Sequence, residues 1–280
     1  MSVLSLKQRL EQGLLIAPGV YDGVSARQAV RAGAEAVYMT GFGVAGSLLG
    51  VPDIGIVSAT EMTDRVRALA AASLPVPLIA DGDNGHGGTA NVDRLVKAYE
   101  QAGAAAIQLE DQVLPKRCGH MEGKEVIPRE EAVAKIRAAV RARHSRDFLV
   151  IARTDARSIH GLDDALFRAE AFLESGADIL FVEAPQSLEE LRLIGERFKG
   201  VPLMANMVED GKTPLLGTDE LASLGYRLVI YPVSALLAAT HVYASTYQRL
   251  LKGKMIPGSE RVSFQDYNEM MGLKSYLQRD

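Results

Sequence analysis

The chain has 280 residues, 48% of them hydrophobic, and a formal net charge of −4. That mild charge, not concentrated in blocks, argues against a nucleic-acid partner, which would want a basic patch or stripe. A single cysteine excludes an intramolecular disulfide and places the expected home of the chain in a reducing, cytoplasmic compartment. No apolar run approaches the roughly 20 residues that cross a bilayer, and the N-terminus lacks the layout of a signal peptide, so no membrane partner is expected.

Taken in chain order, continuous apolar runs predict eight strands, at 14–18, 36–40, 77–81, 106–110, 148–153, 178–183, 202–206 and 227–231. Runs without polar alternation are the mark of parallel strands buried on both faces. Helical patterns lie between them, among them Asn91–Ala102, Arg129–Arg143, Asp163–Glu174 and Leu188–Phe198. Gly33, Gly103, Gly176 and Gly225 each stand after a helix and before a strand, where a left-handed residue ends a helix. Eight such units predict an α/β fold, a (β/α)₈ TIM-type barrel, with 1–280 as one domain. An open doubly wound sheet is the alternative, but no glycine-rich dinucleotide fingerprint follows the first strand. After the last strand, Ser234–Lys252 and Phe264–Leu277 read as two further helices separated by Gly253, Pro257 and Gly258. This tail, 234–280, exceeds what the barrel needs and packs either on it or on a neighbouring subunit.

Barrel chemistry sits at the C-terminal ends of the strands. Those ends carry Thr40-Gly41-Phe42 after the second strand, Asp81 and Asp83 after the third, and Glu110 after the fourth. Arg153, Glu183 and Asn206 follow on the fifth to seventh, with Pro232 and Ser234 after the eighth. Charges are costly to bury unless paired or metal-bound, and oxygen-only ligands suit a hard ion, Mg²⁺ or Mn²⁺. Each residue also has a plainer reading. Asp81 or Asp83 caps the next helix, Glu183 and Arg153 form a structural ion pair, and Asn206 satisfies loop backbone. His86 stands in the same acidic loop and reaches either substrate or a carboxylate.

The fourth strand is followed by an unusually long loop holding Lys116, Arg117, Cys118, Gly119 and His120. Cationic neighbours tune Cys118 as a proton donor or acceptor, and the glycines give a loop that moves as a lid. The alternative is an incidental cysteine. A zinc site is excluded, because no second cysteine or spaced histidine pair exists.

With K-R-C-G-H at Lys116–His120, E-D-Q at Glu110–Gln112, D-G-D-N-G at Asp81–Gly85, A-R-T-D-A at Ala152–Ala156 and V-E-A-P at Val182–Pro185, the chain resembles the isocitrate lyase/phosphoenolpyruvate mutase superfamily. V-P-D-I-G at Val51–Gly55 and the turn Tyr38–Gly41 extend the match over nearly the whole sequence. The resemblance implies a Mg²⁺-dependent lyase, a small dicarboxylate substrate and a homotetramer with a swapped last helix. It implies Asp81, Asp83, Asp53 and Glu110 as the metal shell, Cys118 as the proton donor to carbon and Tyr38, with Asp53, as the base. Lys116, His120, Arg153 and Asn206 then stabilise charge, with Thr40, Gly41, Phe42, Arg117, Gly119, Glu183, Pro232 and Ser234 around the substrate. Cys118 favours carbon–carbon cleavage over the phosphonomutase and decarboxylase branches. Met207 and Val208, where relatives bind an extra carboxylate, suggest an apolar pocket like that of the 2-alkylmalate lyases. Methylisocitrate cleavage, oxaloacetate hydrolysis or decarboxylation, and plain diacid binding are the alternatives.

Overall fold

A computed structural model describes residues 4–116 and 123–278 of the chain. Eight parallel strands close into a barrel in sequence order. They are β1 (Leu15–Val20), β2 (Val37–Met39), β3 (Leu78–Asp81), β4 (Ala106–Glu110), β5 (Leu149–Thr154), β6 (Ile179–Val182), β7 (Leu203–Asn206) and β8 (Tyr226–Tyr231). Each lies within a residue or two of its predicted run, and the open-sheet alternative is excluded by the pairing of β8 with β1. Gly33, Gly103, Gly176 and Gly225 all have φ between +92° and +97°, the left-handed region that a side chain resists.

Strand alternation divides the core in two. Inward residues such as Tyr38, Ile79, Ile151, Phe181, Met204 and Ile230 fill the barrel. Leu6 and Leu10 join them from the helix Leu6–Gln12, which Ser5 and Gln8 start with a capping box. Outward residues such as Met39, Ile107, Val150, Leu180 and Val229 meet the surrounding helices. The helix Thr89–Gln101 is one example: Val92, Leu95, Val96 and Tyr99 recur at helical spacing and are buried. Each such side chain stabilises the fold by roughly 1.5–3 kcal/mol. The Tyr99 hydroxyl also donates to the carbonyl of Asp81 at 2.9 Å, pinning the end of β3.

After β2 the chain makes a single helical turn, Gly41–Val44, that widens into a π-helix, Ala45–Leu49, ended by left-handed Gly50. Such widened turns concentrate at functional sites. The loop that follows carries Asp53.

The chain divides into two compact units, Met1–Ser234 and Ala235–Asp280. The second contains most of the helix Ser234–Leu250 and two short helices, Phe264–Met270 and Leu273–Leu277. The single helix expected over 264–277 is therefore two, because Gly272 takes φ +78° between them. Among the described residues of these helices none is buried. An Arg249–Glu260 ion pair at 2.6 Å closes this unit on itself.

Candidate active site

The same alternation that fills the barrel continues past its apolar layers and aims polar side chains into the mouth. Tyr38, Asp81, Gln108, Glu110, Arg153 and Asn206 fall on inward positions of their strands, and Glu183 follows β6 in phase. Register sets neighbours: Glu110 pairs with Arg153 across β4 and β5, and Asp81 with Gln108 across β3 and β4.

On one side stand the acids. Asp53, Asp81, Asp83 and Glu110 are all buried. Lys116 Nζ lies 2.6 Å from both Asp53 Oδ1 and Asp83 Oδ1. Burial, then the neighbouring Asp83, pushes the Asp81 carboxyl up to about 6. Burial raises Asp53 as well, against the pull of Lys116, and raises Glu110 well above the usual range against the pull of Arg153. Burial alone would lower the Lys116 ammonium, but Asp83, Asp53, Glu110 and Asp81 outweigh it. Neither Asp81 nor Asp83 caps the next helix, which begins at Gly88 without a side-chain cap, so that reading is excluded.

Beside Glu110 stands Arg153. Its Nε and Nη2 donate to Asp155 Oδ2 and Oδ1 at 2.9 and 3.0 Å. Its Nη1 lies 3.3 Å from Glu110 Oε2 and its Nη2 3.7 Å from Glu183 Oε1. The guanidinium also sits over the Phe181 ring, 5.3 Å from the centroid. Glu183 in turn accepts from Asn206 Nδ2 at 3.3 Å. The plainer ion-pair reading of Arg153 and Glu183 is thus only part of a wider network.

Tyr38 is tied into the acid group. Its hydroxyl donates to Gln108 Oε1 at 2.9 Å, and Gln108 Nε2 donates on to Asp81 Oδ1 at 3.3 Å. Burial, then Asp81, holds the phenol well above its ordinary value. Thr40 Oγ1 accepts from Gly43 N, while the Thr40 and Gly41 amides donate to Val20 O and Asp81 Oδ2. Phe42 is half-buried and Pro232 buried. Ser234 commits its hydroxyl to Glu209 Oε1, at 2.6 Å. His86 Nε2 is 3.9 Å from Asp83 Oδ2, and burial lowers its pKa. Arg117, Cys118, Gly119 and His120 lie outside the described residues.

One correction concerns the pocket wall. Met207 is fully buried in the outer layer, between strands and helices, so it does not line the mouth. Counting two from inward Asn206 gives Val208 as the inward neighbour. Sequence pattern also gave no role to Gln108, Asp155 and Lys124. Alternation from Glu110 and Arg153 was the available signal for the first two; no local pattern marks the third.

The donor set suits a hard divalent cation. An ideal Cβ on Gly41 would lie 2.8 Å from Asp81 Oδ2 and 3.2 Å from Asp83 Oδ1, so two carboxylates converge on a space kept open by the missing side chain. Glu110 Oε1 is buried without a hydrogen-bond partner among the described residues. Among those residues no three His, Cys, Asp or Glu groups are drawn together as an ion would draw them. The Lys116 ammonium supplies the positive charge between Asp53 and Asp83 instead.

Fold and mouth together define a (β/α)₈ barrel with acids and cations gathered at the C-terminal ends of its strands. The chain belongs to the phosphoenolpyruvate mutase/isocitrate lyase superfamily: the family model described as phosphoenolpyruvate phosphomutase matches residues 6–251. It is 47% identical over 263 residues to 2,3-dimethylmalate lyase of Eubacterium barkeri, covering 93% of this chain and 90% of the relative. It is 41% identical to 2-methylisocitrate lyase of Aeropyrum pernix, covering 99% and 89%. Among solved structures, oxaloacetate acetylhydrolase bound to 3,3-difluorooxalacetate superposes with a TM-score of 0.93 at 37% identity, over 98% of this chain and 94% of that one. Phosphonopyruvate hydrolase in complex with oxalate and Mg²⁺ superposes at 0.86 and 31% identity, over 97% and 95%.

Proposed function

We propose that this chain is a Mg²⁺-dependent carbon–carbon lyase, Mn²⁺ substituting, that cleaves a 2-alkylmalate such as 2,3-dimethylmalate to pyruvate and a monocarboxylic acid. The observation that carries the reading is the convergence of Asp81 and Asp83 above Gly41, in a mouth that also holds Arg153 beside Glu110. The 47% identity to a 2,3-dimethylmalate lyase supports the substrate class.

Asp81 and Asp83, with Asp53 and Glu110 around them, are the residues to hold the metal. When bound it supplies Lewis-acid polarisation of the substrate's 2-oxygen. Arg153 takes a substrate carboxylate through its Nη1 side, away from Asp155, an arrangement in which a guanidinium gives direction as well as charge. The 2-hydroxyl loses its proton to a basic group of the mouth, Tyr38 with Asp53 being the candidates. The C2–C3 bond breaks in a retro-Claisen, aldol-type step; C2 becomes the carbonyl of pyruvate and the electron pair passes to C3, conjugated with the second carboxylate. Lys116, Arg153 and Asn206 offset that charge, and the Cys118 thiol returns a proton to C3. Tyr38 donates through Gln108, keeping Asp81 oriented.

The assay is pyruvate release coupled to a dehydrogenase, on 2,3-dimethylmalate, 2-methylisocitrate, isocitrate and oxaloacetate, each with a chelator control. Chelator-sensitive turnover of the alkylmalate supports the reading. The second reading is 2-methylisocitrate cleavage, favoured by the 41% identity to such a lyase over 99% of the chain; succinate among the products decides for it. Consumption of oxaloacetate alone decides for hydrolysis or decarboxylation, and binding without turnover of any diacid decides against an enzyme.

The reading extends to assembly and place. Exposed Leu251, Met255 and Phe264 on the tail support a homotetramer that covers them with other subunits, checked by light scattering. No described helix is long and apolar enough to cross a membrane, and cytoplasmic residence is proposed from the free cysteine.

A further inference from the structure

The long loop after β4 leaves and returns as a paired stem. Val113 N donates to Glu125 O, Ile127 N donates to Asp111 O, and Gln112 and Val126 form an antiparallel bridge. Each limb of the stem carries one lysine into the mouth. Lys116, on the outgoing limb, reaches Asp53 and Asp83. Lys124, on the returning limb, is almost wholly buried and donates to Asp155 Oδ1 at 2.7 Å. That oxygen is shared: Arg153 Nη2 donates to it at 3.0 Å, while Arg153 Nε takes Asp155 Oδ2.

Sharing fixes an angle. A carboxylate held only by one guanidinium edge still rotates about its own bond with the guanidinium following. A second cation on one of its oxygens stops that rotation. Asp155 N adds a third restraint by donating to Asp111 Oδ1 at 2.9 Å, and Thr154 Oγ1 donates to Asp111 Oδ2 at 2.7 Å. With Nε and Nη2 committed, Arg153 is left with its Nη1 side for other partners, where Glu110 Oε2 lies at 3.3 Å. Charge points the same way. Asp155, Glu110 and Glu183 surround Arg153, and Lys124 offsets the Asp155 carboxylate before any dianion arrives.

We propose that Lys124 is a positioning residue for substrate binding: through the shared Asp155 oxygen it sets the orientation of Arg153 and makes the pocket electrostatically able to accept a diacid. The inference rests on the reading of Arg153 as the holder of a substrate carboxylate. A lysine that merely ties down the loop stem would act otherwise; losing it would lower kcat and the melting temperature and leave diacid affinity alone.

The experiment compares the full-length wild type with Lys124→Met, Lys124→Arg, Asp155→Asn and the Lys124→Met/Asp155→Asn double variant. Two quantities are read: KM and kcat on 2,3-dimethylmalate, and the Kd of oxalate by calorimetry with Mg²⁺ present. Lys124→Met is expected to raise both KM and the oxalate Kd about 10- to 30-fold, as loss of a buried charge-assisted contact does. It should lower kcat less, and Lys124→Arg should recover most of the affinity. In the Asp155→Asn background the same change should add less than about threefold, because both act through one carboxylate. KM and Kd within twofold of wild type in Lys124→Met, or effects that multiply in the double variant, overturn the proposal. Should Lys124→Met fail to fold by its melt, Asp155→Asn and Lys124→Arg decide the matter: weakened oxalate binding in the first and near-normal binding in the second support the proposal, and any other pairing overturns it. A wild type that binds oxalate in a Lys124-dependent way but releases no pyruvate would sink the proposed reaction and leave the positioning role standing.

Discussion

Asp155 is the residue whose loss has the most clearly defined cost. Its carboxylate is fully buried and accepts from Arg153 twice and from Lys124 once, at 2.7 to 3.0 Å. Burial pushes its pKa up, but the Arg153 and Lys124 charges and hydrogen bonds outweigh that and hold it at about 2. In Asp155→Asn the neutral amide takes away the negative charge shared by two buried cations. Removing one partner of a buried ionic group costs about 3–5 kcal/mol. With an unfolding entropy of roughly 2.1 cal/mol/K per residue, 280 residues give about 0.6 kcal/mol per degree, so the melting temperature should fall by about 5 to 8 °C. The pH dependence carries a sign. A carboxyl lowered from 3.8 to about 2 on folding contributes stability that is present above pH 4 and lost as pH falls through 2. The difference in pKa corresponds to roughly 2 kcal/mol, about half of it gone at pH 3. Urea melts of both proteins at pH 7, 5, 4 and 3 check this. The gap between wild type and variant should be constant from pH 7 to 5 and narrow towards pH 3. A gap under 1 kcal/mol at pH 7, or one that widens with acid, would refute the buried network as drawn.

Three further outcomes follow from the site. Gly41→Ala places a Cβ 2.8 Å from Asp81 Oδ2, so one carboxylate must give way; Mg²⁺ affinity by calorimetry should weaken roughly tenfold, about 1.4 kcal/mol, with the melt little changed, and unchanged affinity would place the ion elsewhere. Cys118→Ser should fold and bind Mg²⁺ yet lose turnover by about two orders of magnitude or more, the usual worth of a positioned proton donor; near-normal turnover would remove Cys118 from the mechanism. Met207→Thr should destabilise by about 1–3 kcal/mol through a buried, unsatisfied hydroxyl while leaving the ratio of dimethylmalate to methylisocitrate turnover alone, and Val208→Thr should do the reverse; a shifted ratio in the Met207 variant would show that this side chain does reach the substrate.

How far the sequence reveals this protein follows from what each inference depends on. The barrel was legible because its signals are local: uninterrupted apolar runs, and glycines at 33, 103, 176 and 225 where the backbone turns left-handed. Much of the mouth was legible for the same reason, since a polar residue ending an apolar strand has few structural uses, and Asp81, Glu110, Arg153, Glu183 and Asn206 all end one. Gln108 was hidden because it lies inside the apolar run of β4 and reads as strand, although it sits two residues before Glu110 on the same face. Met207 was misread because proximity in sequence was taken for proximity in space; adjacent strand residues face opposite ways, so a neighbour of Asn206 is the residue least able to share its pocket. Lys124 was invisible for a different reason. Its meaning depends on where a long loop returns, and that is decided by backbone pairing between 111–113 and 125–127, which side-chain pattern does not encode. The residues that specify chemistry in this fold thus divide into those placed by strand period, which a sequence exposes, and those placed by loop closure, which only the folded chain does.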